Sequence, residues 1–250
     1  MEFKENNMDN RHVDILGVHF TKTTEQQLVS ELTDRITSQQ KTFVVTANPE
    51  IVMYSLNDEE YKTILDKASY VIADGIGVVK AAAMLNDPLP ERIAGFDLMV
   101  KILEVANEKK WKIFLLGSQE HVLEKTVEHI NQHYPGCTIG GYHHGFFDWS
   151  NNEIADKIAE ASPDIVLVAL GVPKQEQWIS QNIERFEKGL FMGIGGSFDV
   201  LAGTVKRAPE VWQKLNVEWL YRLIKQPWRW KRMMSIPVFV MKVIGQKTKG

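Results

Sequence analysis

Five short apolar runs set the architecture of this chain: Thr42–Thr46, Tyr70–Ala73, Ile113–Leu116, Ile165–Leu170 and Leu190–Ile194. None alternates polar with apolar residues, so each must be covered on both faces. Strands of that kind belong to a parallel sheet buried between helices. The intervening segments carry the matching helical period. Thr24–Ser38 repeats apolar residues at Leu28, Leu32 and Ile36, and Phe96–Glu108 and Glu120–His133 follow the same spacing with polar outer faces. Strand alternating with helix in this rhythm predicts an α/β fold. The sheet is expected to be Rossmann-like and mostly parallel, sandwiched by helices through crossover connections.

The chain changes in kind near Gly203–Pro209. Residues 201–250 hold eleven Lys and Arg against two Asp and Glu, a local charge of +9 on a chain of net −3, which leaves −12 for residues 1–200. Four of the seven tryptophans, Trp212, Trp219, Trp228 and Trp230, fall in the same tail. Two units are therefore expected: a catalytic body over residues 1–203 and a basic, Trp-rich helical appendage over residues 204–250. Pro209–Ile224 reads as a helix with Pro209 in its first turn, and Pro227 interrupts that pattern and opens a second short helix. An acidic body with a cationic, Trp-bearing arm suits a partner that is both anionic and greasy, and phosphorylated lipid at a membrane face fits best. The plainer alternative is a solvated basic helix that packs its tryptophans on the body.

Several classes are disfavoured. With 250 residues and 44% apolar content, the chain can build one sizeable α/β domain plus a small appendage. A lone cysteine, Cys137, permits neither an intrachain disulfide framework nor a CxxC metal site, and no basic neighbour activates it. The polar N-terminus lacks the apolar core of a signal peptide. Ile236–Ile244, the most apolar stretch, is short and contains Pro237 and Lys242, so it cannot span a bilayer. The protein is expected in the cytoplasm, peripheral on the inner face of the membrane, with no nucleic-acid partner. The histidines form no zinc-type set, no Asp-x-Asp pair offers a divalent-metal clamp, and no G-x-S-x-G elbow occurs. Neither a metal nor a cofactor is expected.

In open parallel sheets, ligands bind beyond the carboxyl ends of the strands. Here those ends deliver Thr46-Ala47-Asn48-Pro49-Glu50, Asp74-Gly75-Ile76-Gly77, Gly117-Ser118-Gln119, Gly171-Val172-Pro173-Lys174-Gln175-Glu176 and Gly193-Ile194-Gly195-Gly196-Ser197-Phe198-Asp199. Four of the five bear glycine and lead into a helix, exposing backbone N–H groups to an anion. Gly75, Gly195, Gly196 and Ser197 are thus candidate contacts for a nucleotide diphosphate, although the G-x-G-x-x-G spacing of a dinucleotide loop fails. Asp74 ends an apolar run at the sheet's rim, where partial desolvation would make it a competent general base. Its alternative role is a helix cap. Without a metal, basic side chains must neutralise a departing phosphate. The tail supplies Arg222, Arg229 and Arg232 at helical spacing, each with a fork suited to phosphate oxygens. Arg92, just before a helix start, is a further cation.

Taken together in unbroken order, these segments, with Glu91-Arg92-Ile93-Ala94-Gly95-Phe96-Asp97-Leu98 and Arg207-Ala208-Pro209, resemble the bacterial glycosyltransferases of the WecG/TagA/CpsF type from about Val13 to Met234. The resemblance implies transfer of N-acetylmannosamine from UDP to an N-acetylglucosaminyl-diphospho-undecaprenol lipid in the wall teichoic acid linkage unit. That transfer would invert the anomeric carbon without a metal. A UDP-linked uronic-acid relative, delivered to the lipid-linked acceptor of another surface polysaccharide, is the alternative donor. The resemblance makes Asp74 the base on the acceptor hydroxyl, with Thr46, Asn48, Arg92 and Gln175 positioning substrate. It makes Arg222, Arg229 and Arg232 the groups that stabilise UDP as it leaves. It further implies an appendage that closes over the cleft and docks on the membrane, and a core that self-associates. A nucleotide-dependent oxidoreductase and a non-catalytic membrane adaptor are the competing classes.

Overall fold

The computed structural model describes residues 11–149, 151–215, 217–225, 230 and 234–248. It opens with an antiparallel hairpin, β1 (His12–Ile15) and β2 (Val18–Thr21). The two turn residues, Leu16 (φ 55°) and Gly17 (φ 83°), both take positive φ, the backbone twist that a two-residue hairpin needs. Leucine is costly in that region. The Leu16 N–H is held by Gln246 Oε1 at 2.9 Å from the far end of the chain.

Six parallel strands form the main sheet. They are β3 (Lys41–Ala47), β4 (Tyr70–Ala73), β5 (Lys112–Gly117), β6 (Thr138–His143), β7 (Ile165–Ala169) and β8 (Gly189–Gly193), in the spatial order β4-β3-β8-β7-β5-β6. The five predicted strands all lie here, each within one residue of its expected bounds. The hairpin and β6 were not predicted. Edge strand β6 reads Thr-Ile-Gly-Gly-Tyr-His and is only half-buried, so it lacks the apolar signal. Its glycines lie close against β5: a Cβ on Gly140 would meet Lys112 at 2.8 Å and one on Gly141 would meet Phe114 at 2.6 Å.

Helices cover both faces. One layer holds α1 (Glu25–Thr37), α5 (Gly95–Lys109), α6 (Glu120–His133) and α9 (Ser197–Leu201), which close a core on Val44, Ile72, Leu115, Leu167 and Met192. The other holds α2 (Pro49–Ser55), α3 (Glu59–Asp66), α4 (Ile76–Met84), α7 (Glu153–Ala161) and α8 (Lys174–Asn182), packed on Phe43, Val45, Phe114, Val166 and Phe191. Neighbouring residues of one strand thus serve opposite cores, which explains the unbroken apolar runs. Each fully buried Phe, Leu or Ile contributes roughly 1.5–3 kcal/mol. Helix α1 is framed by a capping box: Thr24 accepts the Gln27 N–H while Gln27 Oε1 accepts the Thr24 N–H, both at 3.2 Å.

Past Gly203 the expected single helix over Pro209–Ile224 is instead two, α10 (Glu210–Lys214) and α11 (Glu218–Lys225). The break has a backbone cause: the Val217 N–H returns to the Trp212 carbonyl at 2.9 Å, a six-to-one bond that closes a helix. Pro209 is the N-cap rather than a first-turn residue. The short helix expected to open at Pro227 begins outside the described residues. A last helix, α12 (Ser235–Lys247), returns to the body: Phe239 and Val243, each 1% exposed, enter the core shared with α2 and α4. No described helix is long and apolar enough to cross a membrane.

Candidate active site

Adjacent strands β3 and β8 send their chains to opposite faces, β3 into α2 and β8 into α9. Their carboxyl ends therefore part at a topological switch point, the place where a parallel sheet opens a crevice for ligands. The β4 end borders it on one side, because Ala47 pairs with Ala73. Thr46, Asn48, Asp74, Gly75, Gly195, Gly196 and Ser197 all arrive at this crevice from three neighbouring strands.

Residue chemistry fixes the crevice walls. The Thr46 hydroxyl donates to the Gly193 carbonyl at 3.2 Å, tying β3 to β8 at their ends. Asn48 is the N-cap of α2: its Oδ1 accepts the Ile51 N–H at 3.1 Å, and Pro49 follows at N1. The β4–α4 turn lies directly on this cap. A Cβ on Gly75 would meet Pro49 Cδ at 3.1 Å, and one on Gly77 would meet Pro49 Cγ at 3.0 Å. A side chain at either position would press on the proline ring, which would have to give by a few tenths of an ångström.

Asp74 is half-buried at the end of β4. Its N–H donates to the Ala47 carbonyl at 3.0 Å, and its carboxylate Oδ1 accepts the Gly95 N–H at 2.8 Å. The Ile93 N–H donates to the Ala73 carbonyl at 3.0 Å, which lays the loop before α5 across the strand end. Gly95 approaches Thr46 as well, since a Cβ there would lie 3.1 Å from the threonine side chain. A hydrogen bond to a charged acceptor is worth roughly 1.5–3 kcal/mol, so the carboxylate has a defined aim.

The opposite wall is built on Gln175, at the start of α8 and 2% exposed. Its Oε1 accepts the Gly195 N–H at 3.0 Å, while its Nε2 donates to Glu176 Oε1 at 2.7 Å. A Cβ on Gly193 would lie 2.6 Å from Gln175 Nε2, so the amide rests on bare backbone. Glu176 is fully buried, with the Tyr61 hydroxyl as its neighbour in the core. Burial pushes the Glu176 carboxyl up to about 7. Tyr61 is likewise raised, by burial first and by the Glu176 charge second. Beyond Gln175, the loop Gly195-Gly196 stays open: a Cβ on Gly195 would meet nothing within 4 Å, and Ser197 turns inward to donate to Ile194 O at 2.7 Å.

The C-terminal arm reaches this region through α11. Arg92 Nη2 lies 3.7 Å from Glu218 Oε2, with the side chains 16% and 12% exposed. Arg92 is thus in contact with the arm as well as being near the crevice. Arg222 falls in α11, one turn after Glu218, and its side chain lies outside the described set. Arg229 and Arg232 lie outside the described residues altogether. Among the described residues, no three His, Cys, Asp or Glu side chains converge as a metal site would require.

Sequence reasoning missed Gly95 as the donor to Asp74, Glu176 as the support of Gln175, and Glu218 as the partner of Arg92. Glu176 carried a readable signal. It precedes Ile179 by three residues and Ile183 by seven, which puts it on the apolar stripe of its helix.

Residues 13–250 match the model of the glycosyl transferase WecG/TagA/CpsF family. Two relatives from Staphylococcus aureus, strains MW2 and NCTC 8325 / PS 47, are each 41% identical over 239 residues, covering 95% of this chain and 94% of their own length. Both are named N-acetylglucosaminyldiphosphoundecaprenol N-acetyl-beta-D-mannosaminyltransferase. The chain therefore belongs to the glycosyl transferase WecG/TagA/CpsF family and is a glycosyltransferase.

Proposed function

We propose that this enzyme transfers N-acetylmannosamine from its UDP donor to the sugar hydroxyl of an N-acetylglucosaminyl-diphospho-undecaprenol lipid, as a step of wall teichoic acid linkage-unit synthesis. The observation that carries the reading is the Asp74 carboxylate, held by the Gly95 N–H at 2.8 Å beside the ends of β3 and β4. Relatives of near-equal length, which bear that substrate and sugar in their name, support it.

Asp74 takes the proton of the acceptor hydroxyl as its oxygen bonds to the anomeric carbon. The bond from that carbon to the diphosphate oxygen breaks, UDP leaves with the electron pair, and configuration inverts. Thr46 and Asn48 shape the acceptor side, and the Asn48 amide nitrogen is the atom its capping bond leaves for substrate. Gln175 braces the Gly195–Ser197 loop from behind, and the open backbone at Gly195-Gly196 faces the donor. Negative charge gathers on the departing diphosphate, and arginines of the arm, Arg222, Arg229 and Arg232, neutralise it. Residues 204–250 act as the closing and docking unit, anchored to the body by α12. Val211, Leu215, Trp219, Ile224, Trp230, Met234 and Met241 are exposed on a segment of net positive charge, a composition suited to an anionic bilayer surface. The enzyme accordingly works as a peripheral protein on the inner face of the membrane, and its core self-associates.

The test is a donor panel. The enzyme is incubated with a short-chain N-acetylglucosaminyl-diphospho-lipid and UDP-N-acetylmannosamine, its uronic-acid relative or other UDP-sugars, and products are identified by mass. A lipid heavier by one N-acetylhexosamine is expected from UDP-N-acetylmannosamine alone. Transfer only from the uronic-acid donor would replace the donor assignment, and no transfer from any donor would overturn the function.

A further inference from the structure

Two segments with no role in the chemistry so far, Phe96-Asp97 and Arg207-Ala208-Pro209, meet in space. Arg207 Nη1 lies 2.7 Å from Asp97 Oδ1 and its Nη2 lies 2.8 Å from Asp97 Oδ2, a two-pronged fork on one carboxylate. The same guanidinium stacks over the Phe96 ring at 4.7 Å from the centroid. Arg207 opens the C-terminal arm, two residues before the N-cap of α10. Asp97 lies in the first turn of α5, whose first residue, Gly95, holds Asp74.

Three features set this pair apart from an incidental surface bridge. The Arg207 Nε is buried without a hydrogen-bond partner, so the side chain gives up solvation to keep its position. Ala208 is buried beside it, and the Ala208 carbonyl accepts from Gln213 of α10, so the root of the arm has one fixed course. Asp97 also stands in an acidic neighbourhood. The Glu25 N–H donates to Glu91 Oε1, and the Glu25 carboxyl is raised first by burial, then by Asp97 and Glu91. Without Arg207, these like charges would push on the start of α5.

The loop of residues 92–97 therefore makes three attachments within six residues. Arg92 reaches Glu218 of α11, Gly95 reaches Asp74, and Asp97 reaches Arg207. We propose that Arg207 and Asp97 are positioning residues that seat the C-terminal arm on the loop that aims Asp74. Arm placement and base orientation are thereby set by one short segment. The inference rests on the reading of Asp74 as the base and of the arm as its electrostatic complement.

The experiment uses the full chain with Arg207→Ala, Asp97→Ala, the double variant, and the exchanged pair Asp97→Arg with Arg207→Asp. Turnover and donor KM are measured together with amide hydrogen exchange. Each single variant is expected to lower kcat by about tenfold or more while donor KM stays within about threefold. The double variant should lose no more than the worse single one, and the exchanged pair should recover part of the loss. Exchange should quicken over residues 218–225 and leave strands β7 and β8 protected. Singles with near-normal kcat, losses that multiply in the double variant, or exchange that quickens equally in the core would overturn the seat. If the wild-type chain transfers no sugar at all, the proposed function fails separately, and the exchange pattern still decides whether Arg207 and Asp97 hold the arm.

Discussion

Replacing Glu176 by Gln should change how stability depends on pH, and the structure sets both sign and size. The carboxyl is fully buried, and burial raises it from 4.5 to about 7. Below pH 4.5 the folded and unfolded chains both carry the proton, so the residue makes no pH-dependent difference. Above that value the unfolded chain releases the proton while the folded chain keeps it, until pH rises to about 7. The folded state binds more protons across this window, so stability falls as pH rises. A shift of this span corresponds to about 3 kcal/mol, fully expressed above the folded value. Glutamine keeps the shape and an oxygen to accept from Gln175 Nε2, but it cannot ionise. Urea unfolding at about pH 5 and about pH 8 gives the wild-type loss, and the same pair on the variant gives its background. The variant should gain on wild type by up to about 3 kcal/mol between those conditions. Parallel pH profiles for the two proteins would refute the reasoning and show that water or a partner compensates the buried charge.

Other consequences are equally direct. Asn48→Ala removes the α2 cap and should cost about 1 kcal/mol in denaturant unfolding, whereas Asn48→Asp keeps the cap and most of the stability. Any loss of turnover in the Asp variant then measures the amide's contact with substrate. Gly193→Ala drives a methyl into the Gln175 amide, 2.6 Å away, and should cost about 1–3 kcal/mol with a fall in kcat. Adding Gln175→Ala relieves that clash but leaves Glu176 Oε1 and the Gly195 N–H without their partner, so neither stability nor turnover should return to the wild-type level. Burial pushes the Cys137 thiol up to about 11, so iodoacetamide should leave the native protein unmodified at neutral pH and label the unfolded chain, as read by mass.

How much of this was legible in the chain follows from what each signal depends on. The sheet was legible because a strand buried on both faces advertises itself residue by residue, as Ile165–Ala169 does. Helices α1, α5 and α6 were legible because they are long enough to repeat their apolar face. Edge strand β6 was not, since close approach to Phe114 demands glycine where a buried strand would show valine. Thr46, Asn48 and Asp74 stood out because strand ends are where a parallel sheet presents polar groups. Their supports did not. Gly95, Glu176 and Glu218 matter only through partners brought near by folding, and the Arg207–Asp97 fork spans 110 residues of sequence. The tail's charge was plain, yet nothing in its composition showed that α12 turns back to bury Phe239 and Val243 in the body.

The most direct test of the account is the turnover of Asp74→Asn with UDP-N-acetylmannosamine and the lipid acceptor, beside the UDP dissociation constant of the same variant. Asparagine retains an oxygen to accept from Gly95, so the loop and crevice keep their form while the proton acceptor is lost. The account predicts a fall in kcat of roughly 10²–10⁴ with UDP affinity unchanged. Turnover close to that of the wild type would contradict it.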